Sequence, residues 1–256
     1  MAVITGAASG IGAETARLFG REGATVTLAD INGDGAKAVA DEIRSSGGEA
    51  ERVVVDVGDS AAFEALLERV AAEQGSLDVL VNCAFRMVAG PLESLTTEDW
   101  HRCLDVTLHG TFFGVRAALR LMRAQRRGAI VNFSSLAGQG GQVSLGGYGA
   151  AKAALENLTR TAAVEGAAAG IRVNAVAPGV IATSGTLEVY PEGTAQRHAA
   201  EKMVPTGRMT EPREVANVVL FLASDEASGV NGQVINVDSG QSAALGAPEI
   251  EQGWEH

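Results

Sequence analysis

The sequence predicts an α/β fold consisting of a single-domain, doubly wound parallel sheet with helices on both faces. Three observations indicate this class. Apolar strand-like runs alternate with helical patterns along the chain, a glycine-rich turn follows the first run, and polar or glycine residues follow the later runs. Continuous apolar runs such as residues 52–55 are typical of strands buried on both faces. The chain has 256 residues, 46% of them hydrophobic and 20% charged, so it can bury one large core.

The first half of the chain contains three strand–helix pairs and a fourth strand. Short apolar runs predict strands at residues 3–5, 24–29, 52–55 and 77–82. Apolar residues at helical spacing predict helices at residues 11–19, 36–43 and 60–74. Ser60 is expected to cap the third helix.

The second half continues the alternation. Strands are predicted at residues 129–133, 171–177 and 233–237, and helices at residues 96–127, 148–169 and 212–222. Pro178 and Gly179 end the sixth strand, and Pro212 begins the last helix. The helix at 96–127 has more apolar surface than the sheet can cover, so we expect part of it to pack against a second subunit.

The segment at residues 181–206 has a looser pattern, and we expect a mobile lid with one short helix near 195–203. Nothing divides residues 1–240, which we interpret as one domain. Residues 241–256 lack periodicity and are expected to form an arm or a disordered tail. Trp254 within that tail would either contact a neighbouring subunit or belong to the disordered end.

Composition excludes several classes of function. The formal net charge of −11 argues against nucleic-acid binding, although a local nucleotide site stays possible. No apolar run reaches the length of a membrane span, and the start lacks a basic signal-peptide flank, so a cytoplasmic location is the default. Cys83, Cys103 and the four scattered histidines show no metal-ligand spacing, so we expect no metal.

The glycine turn has the spacing Gly6-x-x-x-Gly10-x-Gly12 between a predicted strand and a predicted helix. Glycines there allow the backbone to approach a pyrophosphate, which the first N–H groups of the helix can bind. Ser9 and Ile11 belong to the same cofactor-binding turn. The alternative is a turn made only for tight packing.

Asp30 stands at the end of the second strand, about 20 residues after the turn. A carboxylate there can bind both ribose hydroxyls of an adenosine and would repel the 2′-phosphate of NADP, so the sequence favours NAD. Ile31 is the next cofactor-binding candidate. A carboxylate that only caps the following turn is the competing interpretation.

Tyr148 and Lys152 are four residues apart on a predicted helix, so their side chains share one face. A phenol titrates near ~10, and bringing it to neutrality takes on the order of 4 kcal/mol of preferential phenolate stabilisation, which a neighbouring ammonium could supply. The spacing also occurs on ordinary helix surfaces. Ser135 follows the fifth strand, on the same sheet edge as the glycine turn and Asp30, and this convergence favours a catalytic pair.

The chain resembles the short-chain dehydrogenase/reductase family over nearly its whole length. The resemblance rests on these motifs: Thr5-Gly6-x-x-x-Gly10-x-Gly12, Asp56-Val57, Asn82-x-Ala84, Ser135, Tyr148-x-x-x-Lys152 and Pro178-Gly179-x-x-x-Thr183. It implies a seven-stranded Rossmann-like subunit, usually tetrameric, that moves a hydride between a nicotinamide and an alcohol or ketone. It also implies that Tyr148 is the acid/base, that Ser135 holds the substrate oxygen, and that Lys152 binds the nicotinamide ribose and lowers the Tyr148 pKa.

The same resemblance implies further cofactor contacts. Asp56 and Val57 would flank the adenine, while Ile181 and Thr183 would meet the carboxamide. Asn82, Ala84, Pro178 and Gly179 complete the cofactor-binding set. Two departures from the family pattern stand out: Phe85 replaces a glycine, and Thr107 occupies the position of a catalytic asparagine that serves a proton relay.

The sequence therefore predicts an NAD-dependent oxidoreductase of secondary alcohols or ketones, with Ser135, Tyr148, Lys152 and Thr107 as catalytic residues. Substrate-binding candidates are Phe85, Ser135, Val143, Leu145 and Leu187, a mainly apolar set that suggests a hydrophobic or cyclic alcohol. The alternatives are an NADPH-linked biosynthetic ketoreductase and a weakly catalytic NAD-binding regulatory protein. A homotetramer or homodimer is the expected assembly.

Overall fold

A computed structural model describes residues 1–244 of the chain. Its seven strands form one parallel sheet in the order β3-β2-β1-β4-β5-β6-β7, which confirms the predicted doubly wound fold. The strands are β1 Ala2–Thr5, β2 Thr25–Asp30, β3 Glu49–Val54, β4 Val79–Asn82, β5 Gly128–Phe133, β6 Ile171–Pro178 and β7 Val234–Val237. The order reverses between β1 and β4, and the carboxyl ends of these two strands flank the crevice where such sheets bind ligands.

Ten α-helices are present among the described residues. They are α1 Gly10–Arg21, α2 Gly33–Ser45, α3 Ser60–Gln74, α4 Thr97–Leu104, α5 Thr111–Gln125, α6 Leu136–Gln139, α7 Gly146–Ala167, α8 Ser184–Val189, α9 Ala195–Lys202 and α10 Pro212–Ala223. Two buried apolar clusters lie between the sheet and the helices that cover its two faces. One joins the sheet to α1, α2 and α10, and the other joins it to α3, α5 and α7. Helices therefore cover both faces, as predicted.

Several local predictions were wrong. The run at residues 52–55 is not buried on both faces, because β3 is an edge strand and Val54 is 55% exposed. Ser60 does not cap α3, because the carboxylate of Asp59 accepts the hydrogen bond from the Ala62 N–H. The segment at 181–206 contains two short helices, α8 and α9, where one was predicted.

The long helix predicted at residues 96–127 is divided into α4 and α5 by a π-helical turn, Asp105–Gly110. Such turns often occur at functional sites, and this one contains Thr107. On α5, Phe112 is 38% exposed, and the Arg116 guanidinium lies 5.0 Å from the centre of its ring. Packing of this surface against a second subunit stays a prediction.

Within residues 1–244, no helix is both long and apolar enough to cross a membrane. Residues 241–243 form a 3₁₀ turn. The remainder of the predicted tail, including Trp254, lies outside the described residues.

Candidate active site

A cleft of about 960 Å³ runs along the carboxyl edge of the sheet. It brings together nearly all of the residues that the sequence predicted for the site. Those on its wall are Gly6, Ser9, Gly10, Ile11, Gly12, Asp30, Ile31, Asp56, Val57, Ala84, Phe85, Ser135, Leu145, Tyr148, Lys152, Pro178, Gly179, Ile181 and Thr183. Four predicted residues do not line it, namely Asn82, Thr107, Val143 and Leu187.

The glycine turn is packed so closely that side chains would not fit. A Cβ atom on Gly12 would lie 2.1 Å from the Gly6 carbonyl oxygen, and one on Gly6 would lie 2.9 Å from the Ala84 backbone. Gly6 and Gly10 adopt φ angles of 65° and 57°, in the left-handed region that favours glycine. At the start of α1, Ser9 is exposed and its hydroxyl caps no backbone N–H. This backbone cradle therefore fits the pyrophosphate of a dinucleotide.

Asp30 occupies the end of β2 beside this turn. Its carboxylate accepts hydrogen bonds from the Ala8 N–H at 2.9 Å and the Asn32 N–H at 2.8 Å. A carboxylate has about four lone-pair directions, so two acceptor positions remain for ribose hydroxyls. The side chain thus caps the turn that follows β2, as the competing interpretation states. It also lines the cleft.

Asp56, Ile181 and Thr183 are fixed by local contacts. The Asp56 carboxylate accepts a hydrogen bond from the Gly58 N–H at 2.8 Å. Ile181 forms a short parallel bridge with Thr210, and the Thr183 hydroxyl caps α8. The contacts of Ile181 and Thr183 fix the segment that follows β6, which lines the cleft.

Asn82 does not line the cleft, and its side chain lies on the face of the sheet that α7 covers. Its amide donates to the Asn132 side chain at 2.9 Å, and Asn132 donates in turn to the Thr159 hydroxyl at 2.9 Å. All three side chains are buried. Asn82 therefore serves a buried polar chain that ties β4 and β5 to α7.

Ser135, Tyr148 and Lys152 meet at the inner part of the cleft. Ser135 is the N-cap residue of α6, and its hydroxyl accepts a hydrogen bond from the Ala137 N–H at 3.2 Å. Tyr148 and Lys152 lie in the first two turns of α7, with the Lys152 ammonium 5.4 Å from the centre of the Tyr148 ring. The ammonium donates a hydrogen bond to the Phe133 carbonyl oxygen.

Burial is the largest cause of the pKa shifts of Tyr148, Lys152 and the nearby Cys83. It raises the pKa of Tyr148 to about 12, although the Ser135 hydroxyl acts in the opposite direction. Burial also lowers the pKa of Lys152 to about 8 and raises the pKa of the neighbouring Cys83 thiol to about 12. The Tyr148 shift is the reverse of the lowering expected from helical spacing, because desolvation of the phenol is the largest contribution.

Thr107 lies inside the π-helical turn and is fully buried. Its hydroxyl accepts a hydrogen bond from the Arg86 N–H and donates one to the Arg86 carbonyl oxygen, both at 3.0 Å. The hydroxyl is therefore hydrogen-bonded to the backbone that follows β4, and Thr107 does not line the cleft. The family resemblance implied a proton-relay residue at this position.

Phe85, which replaces the usual glycine, stands on the cleft wall and is 54% exposed. Its ring packs edge-on against Tyr148, with 5.9 Å between ring centres, and its centre lies 5.8 Å from the Lys152 ammonium. Leu145 also lines the cleft, whereas Val143 is 92% exposed and Leu187 lies off the wall. An aromatic surface thus directly adjoins the candidate acid/base.

Sequence reasoning missed several polar residues of the cleft wall, namely Arg86, Arg102, Asp105, Ser134, Gln142, Ser184 and Thr186. Arg86 could have been found, because it lies two residues after the Asn82-x-Ala84 motif. Gln142 lies in a glycine-rich loop that carries no motif. Among the described residues, no three His, Cys, Asp or Glu side chains are grouped so that they could hold a metal ion.

Comparisons with known proteins identify the family to which the chain belongs. Residues 6–242 match the family model described as Enoyl-(Acyl carrier protein) reductase. A cis-4-hydroxycyclohexanecarboxylate dehydrogenase of Sinomonas cyclohexanicum is 47% identical, over 95% of this chain and 96% of that one. A cyclopentanol dehydrogenase of Comamonas is 40% identical, over 94% and 96%.

A solved structure is similar over almost the same length. It is described as an NAD(P)-dependent gluconate 5-dehydrogenase from Beutenbergia cavernae with NADP bound at low occupancy. The TM-score is 0.90, and the sequences are 37% identical over 95% of this chain and 96% of the other. The chain belongs to the short-chain dehydrogenase/reductase family, whose members are oxidoreductases that use a nicotinamide cofactor.

Proposed function

We propose that this protein is an NAD-dependent dehydrogenase of cyclic secondary alcohols, with Tyr148 as the general acid/base. The observation that carries the proposal is the position of Tyr148. Its phenol lies in the same cleft as a backbone cradle for a dinucleotide, next to Lys152 and Ser135.

The cofactor half of the cleft supports a dinucleotide and favours NAD. Gly6, Gly10 and Gly12 present backbone to the pyrophosphate, and Asp30 presents a carboxylate to the adenosine ribose. A second negative charge at the ribose 2′ position would be repelled by that carboxylate. When bound, the nicotinamide supplies the site that accepts or gives the hydride.

The chain's own residues handle the proton. In ketone formation, the Tyr148 phenolate, a form that burial disfavours, takes the proton of the substrate hydroxyl, and in the reverse direction the phenol returns it. Ser135 holds the substrate oxygen at the phenol. Lys152 lies near enough to stabilise the phenolate electrostatically, with the Phe133 carbonyl fixing its position.

The substrate half of the cleft supports a ring-shaped alcohol. Phe85 and Leu145 provide apolar wall beside Tyr148. Two relatives are named for a hydroxycyclohexanecarboxylate and for cyclopentanol, both ring alcohols. An aromatic ring packed against the acid/base suits the flat hydrocarbon face of such a substrate.

The test is the substitution Tyr148→Phe. It removes the acid/base and leaves the ring that packs against Phe85, so oxidation of cyclohexanol or cyclopentanol should fall at least about 100-fold. NADH binding, measured by fluorescence titration, should stay within a few-fold of the wild type. Turnover within about threefold of the wild type would rule out the assigned role.

An NADPH-linked ketoreductase is the second candidate, because the Beutenbergia cavernae structure is described with NADP. Comparing kcat/KM for NAD and NADP distinguishes the two, since Asp30 should make NAD the better cofactor. A cytoplasmic location and a homotetramer complete the proposal, and gel filtration with light scattering would measure the assembly.

A further inference from the structure

Three cationic side chains lie on the wall of the cleft: Arg86, Arg102 and Lys152. Lys152 is buried beside Tyr148 and donates to the Phe133 carbonyl. Arg102 is paired with the Glu98 carboxylate at 2.8 Å and lies 3.5 Å from the Asp99 carboxylate. Two of the three cations are therefore already engaged by the protein.

Arg86 differs from both. Its side chain is exposed on the cleft wall, and within residues 1–244 no carboxylate lies at ion-pair distance from its guanidinium. The chain has a formal net charge of −11, so acidic partners are abundant elsewhere on its surface. A guanidinium without a partner in a ligand cleft is suited to a planar anion, which it can bind with two parallel hydrogen bonds.

The backbone of Arg86 is fixed although its side chain is exposed. The buried Thr107 hydroxyl bonds both its N–H and its carbonyl oxygen. Farther along the same loop, the Gly90 N–H donates to the Ser144 carbonyl at 2.9 Å and so joins it to the segment before α7. A loop held at both places fixes the backbone from which the Arg86 side chain extends, next to Phe85, and this lowers the entropy cost of binding.

We propose that Arg86 binds a carboxylate on the substrate and that Thr107 is a positioning residue for it. The substrate class is then a ring-shaped secondary alcohol that carries a carboxylate away from the carbinol carbon. Phe85 packs on the ring, Tyr148 faces the hydroxyl, and Arg86 pairs with the acid group. The inference rests on the proposed function, which it deepens by naming the substituent that the site recognises.

The kinetic test compares two substrates that differ only in the carboxylate, a 4-hydroxycyclohexanecarboxylate and cyclohexanol. In Arg86→Gln the ratio of their kcat/KM values should fall about 10- to 100-fold, the range expected for loss of a charge-assisted hydrogen bond. The matched control is Arg102→Gln, which removes a paired cation from the same wall and should leave the ratio within about twofold. An unchanged ratio in Arg86→Gln would overturn the proposal.

The guanidinium could instead meet a phosphate of the cofactor, which is also an anion. In that case Arg86→Gln would raise the KM for NAD about 10-fold or more and lower both substrates' kcat/KM equally. The proposal requires the opposite result, a KM for NAD close to that of the wild type. Either pattern is decisive because both substrates are measured with the same cofactor.

A binding measurement separates failure of this inference from failure of the proposed function. Cyclohexanecarboxylate and its neutral carboxamide are titrated against the enzyme–NADH complex, with NADH fluorescence as the signal. Preference for the carboxylate that is lost in Arg86→Gln supports the anion site even if no alcohol is turned over. Equal binding of the two compounds to the wild type would overturn it.

Thr107 is tested by rescue. Thr107→Val keeps the shape and removes the hydroxyl, so the substrate ratio should fall in the same direction as in Arg86→Gln. Thr107→Ser restores the hydroxyl and should restore the ratio, with thermal unfolding of both variants measured alongside. A serine variant that fails to recover the ratio while remaining folded would remove Thr107 from the proposal.

Discussion

Replacement of Lys152 by methionine should change how stability depends on pH. Lys152 is 2% exposed, and burial lowers its pKa from 10.5 to about 8. Below the folded-state pKa, both the folded and the unfolded chain carry the ammonium. The folded state then bears the full free-energy cost of burying this charge. A shift of this size corresponds to roughly 3 kcal/mol, since one pKa unit is about 1.4 kcal/mol.

The sign follows from proton binding in the two states. Between about pH 8 and 10.5, the unfolded chain holds the Lys152 proton and the folded chain has lost it. Stability must therefore rise with pH through this window, by up to about 1.4 kcal/mol per unit. Lys152→Met removes this titration, so the advantage of the variant over the wild type should shrink as the pH rises.

The pH-dependent effect of Lys152→Met on stability can be separated from the cost of losing the hydrogen bond to Phe133. That loss costs about 1–3 kcal/mol because a buried carbonyl is left without its donor, but the cost does not depend on pH. Integration of the Lys152 titration from pH 7 to pH 9 gives about 1 kcal/mol. The difference in free energy of unfolding between variant and wild type should change by that amount, whatever its value at neutrality.

The assay is urea unfolding of both proteins at three pH values from 7 to 9. The window ends there because Cys83 and Tyr148, whose pKa values are raised to about 12, destabilise the fold at higher pH. Both groups are present in both proteins, so their contributions largely cancel in the difference. Lys202→Met, at an exposed lysine of α9, is the control and should give a flat difference. A flat difference for Lys152→Met as well would refute the lowered pKa.

Two further substitutions test the cofactor half of the cleft. Gly12→Ala places a Cβ atom 2.1 Å from the Gly6 carbonyl oxygen, so NADH affinity should fall at least about 10-fold and stability by about 1–3 kcal/mol. Gly229→Ala, where a Cβ meets nothing within 4 Å, is the control, and a similar loss there would contradict the argument. Asp30→Ala should raise the NADP-to-NAD ratio of kcat/KM at least about 10-fold, whereas Asp34→Ala removes an equal charge away from the cleft wall and should leave it unchanged. If both aspartate variants shift the ratio equally, net charge and not ribose contact explains the preference.

Local pattern was enough to predict much of the fold. Parallel strands linked through helices place all their carboxyl ends on one edge, so residues that follow different strands converge without knowledge of any side-chain contact. This is why the glycine turn, Asp30 and Ser135 could be assigned to one rim. Helical spacing placed Tyr148 and Lys152 in neighbouring turns for the same reason.

The strand environment was harder to predict. Residues 53–55 are three consecutive valines, yet β3 has a neighbour on only one side and leaves Val54 exposed. Apolar composition indicates that residues prefer to be buried, but it does not show where their strand lies in the sheet. The split of the helix at residues 96–127 was missed for a related reason, because a π-helical turn leaves no periodic signal in so short a segment.

By itself, the sequence determined the layered fold and predicted the phosphate cradle and the catalytic residues, because each depends on chain order and on residue type at fixed spacing. Only the tertiary structure decided the environment of those groups. Burial sets the pKa of Tyr148 and Lys152, and it depends on which residues from distant parts of the chain cover them. Likewise, Thr107 and Arg86 are 21 residues apart, and only folding brings the Thr107 hydroxyl to the backbone of an arginine that faces the cleft.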